Sequence, residues 1–354
     1  MFLKRSCVFA SSLLKSNKTF MYQKQGAGKI SAIYLCTTSS DTEPLKIDVT
    51  SASTTSYRGP CTISGWIKSA KHQSKHTFLH LTDGLSNQHI QIVLPDNVRG
   101  DVSEYKFGAS VKVNGTITDS PARGQKIEVQ AAGIELLGYC DNETYPFSNA
   151  KKRYTADYVR KYLHLRAKKP EFAAMLRLRG ACRRAICDYF HHNNYIQIDT
   201  PILTSNDCEG AGETFSVGMT NSGKKKEPYF GKERDVKLAV SGQLHLEVCN
   251  SGDSEKFIFC CFICSLSIFI VPLYLVANFL GISKVFTFSP AFRADNAIDQ
   301  THLAEFYMVE GEMAFINELE DLMAFVEHLT KSVAATILEN EQEDITALLQ
   351  GSTR

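Results

Sequence analysis

The chain has 354 residues, 44% of them hydrophobic, and a formal net charge of +1. That length suits two domains, and the near-zero charge leaves partners open, because a nucleic-acid binder can still concentrate charge locally. Eleven cysteines without a spaced framework exclude a disulfide scaffold and suit a reducing compartment.

Residues 1–40 carry Lys4, Arg5, Lys15, Lys18, Lys24 and Lys29, many serines and no carboxylate before Asp41. A basic, Ser-rich, acid-free leader predicts a mitochondrial transit peptide and a matrix location; an ordinary basic leader is the alternative. The "GAGK" at Gly26–Lys29 is not a phosphate loop, because Gln23 and Ile30 stand where Gly and Ser or Thr are needed.

Residues 45–140 alternate apolar and polar in five short runs: "CTISGWIKSA", "HTFLHLTD", "HIQIVLP", "SVKVNGTITDS" and "KIEVQAAGIELLG". Gly, Asp and Asn punctuate them, which predicts a small β-barrel of the OB type with Trp66 in its core. A polar hinge is expected over 141–165. The remainder, 166–354, opens with the helical period of "PEFAAMLRLRGACRRAICDYFHHNNY" and continues with "IQIDTPILT", a strand entering a Pro. Helix followed by strand-rich sequence predicts an antiparallel sheet with flanking helices, so the whole chain is an α+β multidomain protein. The tail "ELEDLMAFVEHLTKSVAATILENEQEDITALL" reads as amphipathic helix, and no internal repeat is present.

Phe257–Leu280 is a charge-free apolar run long enough to span a bilayer. Its neighbours, "AVSGQLHLE" and "VFTFSP", both belong to one soluble domain, so an insert over about 249–280 is expected and no stable membrane partner. Cys261 and Cys264 form a lone Cys-x-x-Cys inside this run, too little for a metal site.

The densest chemistry lies in Thr287–Glu312, which predicts a strand, a loop and a returning strand. Arg293 and Asp295 sit on the first arm; His302, Leu303, Phe306 and Glu310 sit on the second. A guanidinium forks onto phosphate oxygens, and an aromatic face stacks on a purine. Such a hairpin can cradle a nucleotide.

Taken in order, these segments resemble the asparaginyl-tRNA synthetases, in the aspartyl/asparaginyl subgroup of the class II aminoacyl-tRNA synthetases. "GWIKSAK" with Phe78 and Gln91 is similar to the anticodon-binding barrel. "YVRKYLHLR" resembles the link into the catalytic domain, and "YFHHNNYIQIDTPILT" resembles motif 1. "SNDCEGAGETF", "VSGQLHLE", "FRADN" and "HLAEF" complete the set, the last two forming motif 2.

The resemblance implies ATP-dependent ligation of L-asparagine to its tRNA through an asparaginyl-adenylate. It implies Arg293 as a clamp on the substrate carboxylate and the α-phosphate. His302 and Leu303 would approach ATP, Phe306 would stack on adenine, and Asp295 would share the ATP site. Glu209 and Gln243 would take the substrate ammonium. On the barrel, Phe78 would stack on an anticodon base, Gln91 would read a base edge and Lys71 would make a point-charge contact. A homodimer is implied, with Pro201 near its interface. Mg²⁺ is implied as well, its ligands expected beyond Arg354 with the third motif, Gly-x-Gly-x-acid-Arg, which this chain does not contain. No metal site is expected within the chain.

One position bears on specificity. Aspartyl enzymes of the subgroup resemble "QLxKQ", with a Lys that pairs the substrate carboxylate; this chain has "QLHLE", with Leu246 there and Glu247 next. An aspartate side chain would be desolvated without a cation, whereas an amide avoids that cost. Asp295 in place of Glu, and Thr301 in place of Arg, depart from the family pattern. The competing readings are a catalytically inactive tRNA-binding fragment, an aspartyl-specific synthetase and a membrane-anchored protein.

Overall fold

A computed structural model of the protein describes residues 44–98, 100–121, 124–148, 152, 154–205, 208, 213–218, 235–250, 281–295 and 302–352. They fall into two compact units, one within Met1–Asp83 and Gln88–Tyr154, the other within Gly84–Asn87 and Thr155–Arg354.

In the first unit, β1 (Leu45–Lys46) and the short helix α1 (Val49–Thr54) lead into β2 (Gly59–His72). Asp48 caps α1 by accepting from the Ser51 N–H at 2.6 Å. Next come β3 (His76–Thr82), β4 (Ile90–Pro95), β5 (Ser110–Asp119) and β6 (Ile127–Gly138). The order β2-β3-β4-β6-β5 closes through a β2–β5 pairing, so five strands make a barrel of the OB type. Alternate residues point inward: Cys61, Ile63, Ile67, Leu79, Leu81, Ile92, Leu94 and Ile117 are buried. Each large aliphatic side chain so buried contributes roughly 1.5–3 kcal/mol.

Trp66 is a correction. It is 42% exposed and belongs to the outer face. The inward positions of β2 before its bulge are the odd ones, Cys61, Ile63 and Ile67, so the even Trp66 must point out. Its parity decides against the expected place in the core. After the barrel, Phe147 is 1% exposed and packs edge-on to Tyr145 and Tyr154, at 5.9 and 5.3 Å.

The second unit begins with α2 (Ala156–Arg160) and α3 (Pro170–His192). Pro170 suits the first helical position, where its missing N–H costs nothing. The helix ends as Asn194 takes a left-handed φ of 64°, and Tyr195 N–H returns to Phe190 O at 3.0 Å. The segment read as one strand, Ile196–Thr204, is two short ones, β7 (Ile196–Gln197) and β8 (Leu203–Thr204). Pro201, which cannot donate, lies between them. β9 (Lys237–Leu238) pairs with β8, and α4 (Gln243–Asn250) follows. β10 (Lys284–Phe292) and β11 (Glu305–Met313) are fully antiparallel, from Lys284↔Met313 to Phe292↔Glu305. β7 joins β10 in parallel. The tail is two helices, α5 (Leu319–Asn340) and α6 (Gln342–Ser352), rather than one.

The hairpin has two faces. On one, Phe286 stacks on Phe190 of α3 at 4.5 Å and 5°. Gly311 permits this, because a Cβ there would lie 2.9 Å from the Phe190 ring. Arg183 of α3 lies over Phe288, 4.8 Å from the ring centre. The bidentate pair of Arg177 with Asp344, at 2.8 and 2.6 Å, ties α3 to α6. The opposite hairpin face carries Phe306, Glu310 and Glu312.

Six described cysteines are free thiols. Among the described residues no helix is long and apolar enough to cross a membrane. Phe257–Leu280 lies outside the described residues. Its described flanks are joined: Ile282 N–H donates to Cys249 O at 2.9 Å.

Candidate active site and nucleic-acid face

Strand alternation places Thr287, Ser289 and Ala291 of β10 beside Glu310, Met308 and Phe306 of β11, all on one face. Arg293 extends the ladder by donating its N–H to Ala304 O at 3.1 Å. Its guanidinium carbon lies 5.6 Å from the centre of the Phe306 ring. The Arg293 Nε is buried and has no hydrogen-bond partner. A buried guanidinium N–H without an acceptor is costly, and an anionic ligand is the natural acceptor.

The sequence-predicted residues distribute as follows. Arg293 and Phe306 are brought together. Asp295 is exposed and accepts the Glu213 N–H at 3.1 Å, while Ala294 N–H donates to Glu213 O at 2.7 Å. Asp295 therefore fixes the strand end against the 213–218 segment. His302 and Leu303 are exposed just before β11, Leu303 at 63%. Gln243 opens α4: its Nε2 donates to Glu247 Oε1 at 2.8 Å, and its Oε1 faces the Cys208 thiol at 3.8 Å. Glu209 and Thr301 lie outside the described residues. Leu246 is fully buried, whereas Glu247, on the neighbouring position of α4, reaches the polar cluster.

That cluster is built on close backbone approach. Gly242 N–H donates to Glu310 Oε2 at 2.8 Å, and Ser241 Oγ–H donates to Glu310 Oε1. A Cβ on Gly242 would lie 3.0 Å from Glu310 Oε2 and 3.1 Å from Thr200 Oγ1. Glu310 and Glu312 are both fully buried. Neither oxygen of Glu312 has a hydrogen-bond partner. Burial, and then the charges of Glu247 and Glu310, push its carboxyl up to about 9, so it is neutral near pH 7. Sequence reading gave Glu312 no role. The signal available was its parity with Phe306 and Glu310 on one strand.

The barrel carries a polar outer face of its own. Lys71, Phe78 and Val93 form one cross-strand row; Ser69, His80 and Gln91 form the next. Gln91 Nε2 donates to Glu128 Oε2 at 3.2 Å, and Gln130 Nε2 donates to Glu128 Oε1 at 2.7 Å. Ser69 and His80 are 2.8 Å apart, and the His80 and His89 rings meet edge-on at 5.1 Å. Burial, with Lys68 nearby, holds both histidines below their usual range. The face offers an aromatic surface, amides and a cation, the groups that stack on and read single-stranded bases. Glu128 and His80 escaped the sequence reading. Pro201 is exposed, as are Ile202 and Leu203 beside it and Ile196.

Among the described residues no group of three or more His, Cys, Asp or Glu side chains is placed to hold a metal ion.

Comparison with known proteins gives consistent matches. The family model "tRNA synthetases class II (D, K and N)" matches residues 155–262 and 272–352. The model "OB-fold nucleic acid binding domain" matches residues 61–137. Asparaginyl-tRNA synthetase of Mus musculus is 38% identical over 290 residues, covering 81% of this chain and 54% of the relative. Asparagine–tRNA ligase of Microcystis aeruginosa is 37% identical over 293 residues, covering 80% and 56%. The chain thus spans about half the length of the curated relatives it matches. Among solved structures, asparaginyl-tRNA synthetase from Pyrococcus horikoshii complexed with asparaginyl-adenylate superposes with a TM-score of 0.61 at 23% identity, covering 81% of this chain and 57% of the other. A putative aspartyl-tRNA synthetase from Leishmania major gives 0.62 at 16%, covering 90% and 57%. At these identities the structural matches speak to the fold.

Proposed function

This chain belongs to the class II tRNA synthetases of the D, K and N group, and from that premise we propose that it ligates L-asparagine to its tRNA at the expense of ATP. The observation that carries the proposal is the buried, unpartnered Nε of Arg293 on the same hairpin face as Phe306.

The chemistry asks for positioning rather than a covalent intermediate on the protein. An oxygen of the asparagine carboxylate attacks the α-phosphorus of ATP, and the bond to pyrophosphate breaks. The asparaginyl-adenylate then receives a ribose hydroxyl of the tRNA at its carbonyl carbon, and AMP leaves. Arg293 holds the carboxylate and the α-phosphate together and offsets charge on the phosphorus oxygens. Phe306 takes the adenine face. His302 and Leu303 line the approach of the outer phosphates, and Asp295 holds the strand end in place. Gln243, with Glu209, takes the ammonium. Mg²⁺ bound with ATP would offset charge on the phosphate oxygens.

Two observations favour asparagine over aspartate. Leu246 is buried and apolar, and the neighbouring polar cluster is made of carboxyls. A substrate carboxylate there would face like charge; an amide would not. The barrel face with Lys71, Phe78 and Gln91 is assigned to the anticodon. A homodimer through the segment around Pro201 is supported by the exposed Ile196, Ile202 and Leu203. The acid-free leader supports a mitochondrial matrix location, and the Cys249–Ile282 hydrogen bond supports a segment inserted between them. The test is asparagine-dependent exchange of labelled pyrophosphate into ATP, with aspartate as the comparison. A second reading, tRNA binding without catalysis, is favoured by the closed barrel; it requires salt-dependent tRNA binding and no exchange with either amino acid.

A further inference from the structure

The outer face of β3 carries a ring at every second position. His76, Phe78 and His80 alternate with Thr77, Leu79 and Leu81, which are fully buried in the barrel. His76 is exposed, and Phe78 and His80 are half-buried. The His76 and Phe78 rings lie 6.4 Å apart, centre to centre. Phe78 to His80 is the same two-residue step along the strand. The His80 ring is held on two sides: Ser69 Oγ lies 2.8 Å from its Nδ1, and His89, from the loop before β4, meets it edge-on at 5.1 Å. A ring already held in place loses little freedom when a ligand stacks on it.

The charge around these rings is positive. No Asp or Glu occurs between Cys61 and Thr82, whereas Lys68, Lys71 and Lys75 do. Glu128 of β6, the carboxylate beside Gln91, already accepts from Gln91, Gln130, Ser120 and Gln125. A row of rings flanked by cations fits the bases and phosphates of one unpaired RNA strand. A duplex hides its base faces and does not fit. An acidic peptide would match the charge and leave the rings unused.

We propose that His76 and His80 continue the base-binding surface on both sides of Phe78, so that β3 is a three-ring track for successive bases of single-stranded RNA. The proposal rests on the assignment of this barrel face to the anticodon and extends it to two further residues. The His80 ring is neutral at pH 7.5, because burial, with Lys68 nearby, holds it below its usual range. Its contact is then stacking, which releases no counterion, unlike the contact of a lysine.

Filter binding by the full chain at pH 7.5 tests the track with three RNAs. They are a hairpin with the anticodon stem and loop of an asparagine tRNA, an unpaired oligoribonucleotide of mixed sequence, and a blunt duplex. His80→Ala is expected to weaken binding of the first two about tenfold, with the slope against salt unchanged. His76→Ala is expected to weaken it by a smaller factor. His80→Phe, which keeps a ring and loses the Ser69 contact, is expected to bind like the wild type. Duplex binding is expected to be the same in all four proteins. If a melting curve shows that His80→Ala does not fold, His80→Gln, polar and ringless, takes its place with the same expected loss.

Full binding of unpaired RNA by His80→Ala, or a His80→Phe protein as weak as His80→Ala, overturns the proposal. So does an equal loss on the duplex, which marks a general loss of fold or charge. Unchanged affinity in His76→Ala overturns the three-ring track as stated. If the wild type binds the oligoribonucleotide as tightly as the hairpin, the anticodon assignment fails separately, and the same comparisons on the oligoribonucleotide decide the track. Binding of neither by the wild type overturns both.

Discussion

Glu310 and Glu312 stand two residues apart on one face of β11, both fully buried, yet only the first is held by donors: Ser241 and Gly242 bind it, and neither oxygen of Glu312 has a partner. One strand thus presents a hydrogen-bonded carboxyl and an unpartnered one side by side. The difference comes from the turn into α4. Gly242 has no Cβ, so its N–H reaches Glu310 closely.

This asymmetry has a consequence for stability. The Glu312 carboxyl titrates at about 9 in the folded chain against an ordinary 4.5. Its folded value is raised, so its contribution is fully present below about pH 4.5 and is lost progressively as pH rises toward 9. At pH 7.5 the unfolded chain has released a proton that the folded chain keeps. Glu312→Gln removes this linkage. The variant is expected to be more stable than the wild type at pH 8, on the order of 2–4 kcal/mol, with the gain shrinking toward pH 5. Urea unfolding at both pH values checks it.

Arg293 is expected to act in the reaction and little in stability. Its backbone anchors β11 through Ala304, while its Nε has no partner to lose. Arg293→Lys keeps the charge but loses the planar fork. Exchange is expected to fall by about 10²–10³, with the unfolding midpoint nearly unchanged. Pyrophosphate exchange and a melting curve on the same sample separate the two effects.

Gly311→Ala tests the packing of the opposite face. The added Cβ would lie 2.9 Å from the ring of Phe190, which is itself fully buried and stacked on Phe286. That ring has no room to yield, and a loss of about 1–3 kcal/mol is expected in urea unfolding.

The barrel face is tested by binding. Phe78→Ala is expected to weaken tRNA binding by roughly 1–3 kcal/mol at fixed salt, the worth of one stacked base. Lys71→Ala is expected to weaken it and to lower the slope of log affinity against log salt by about one unit. Filter binding across a salt series distinguishes the two.

Much of the architecture was legible as period. The five barrel strands, the α3 helix and the β10–β11 hairpin each follow an apolar alternation that the backbone obeys. Trp66 was misplaced although Cys61, Ile63 and Ile67 already fixed which side of β2 faces in. The strand read over Ile196–Thr204 breaks where Pro201 removes a donor. The tail breaks at Glu341, where the helical period alone gave no stop. Within the site, Arg293 and Phe306 were legible because their spacing across a loop implies a hairpin. The acid cluster was not, because only the packing of α4 brings Glu247 near β11, and no local pattern announces the close approach of Gly242 to Glu310.

The most direct test of the central claim is pyrophosphate exchange by the full chain with asparagine and, separately, with aspartate. Exchange that depends on asparagine and is absent with aspartate is the predicted result. Exchange with aspartate and none with asparagine would contradict the account, because a site bordered by the Glu247 and Glu310 carboxyls, with Leu rather than Lys at position 246, should reject a second carboxylate.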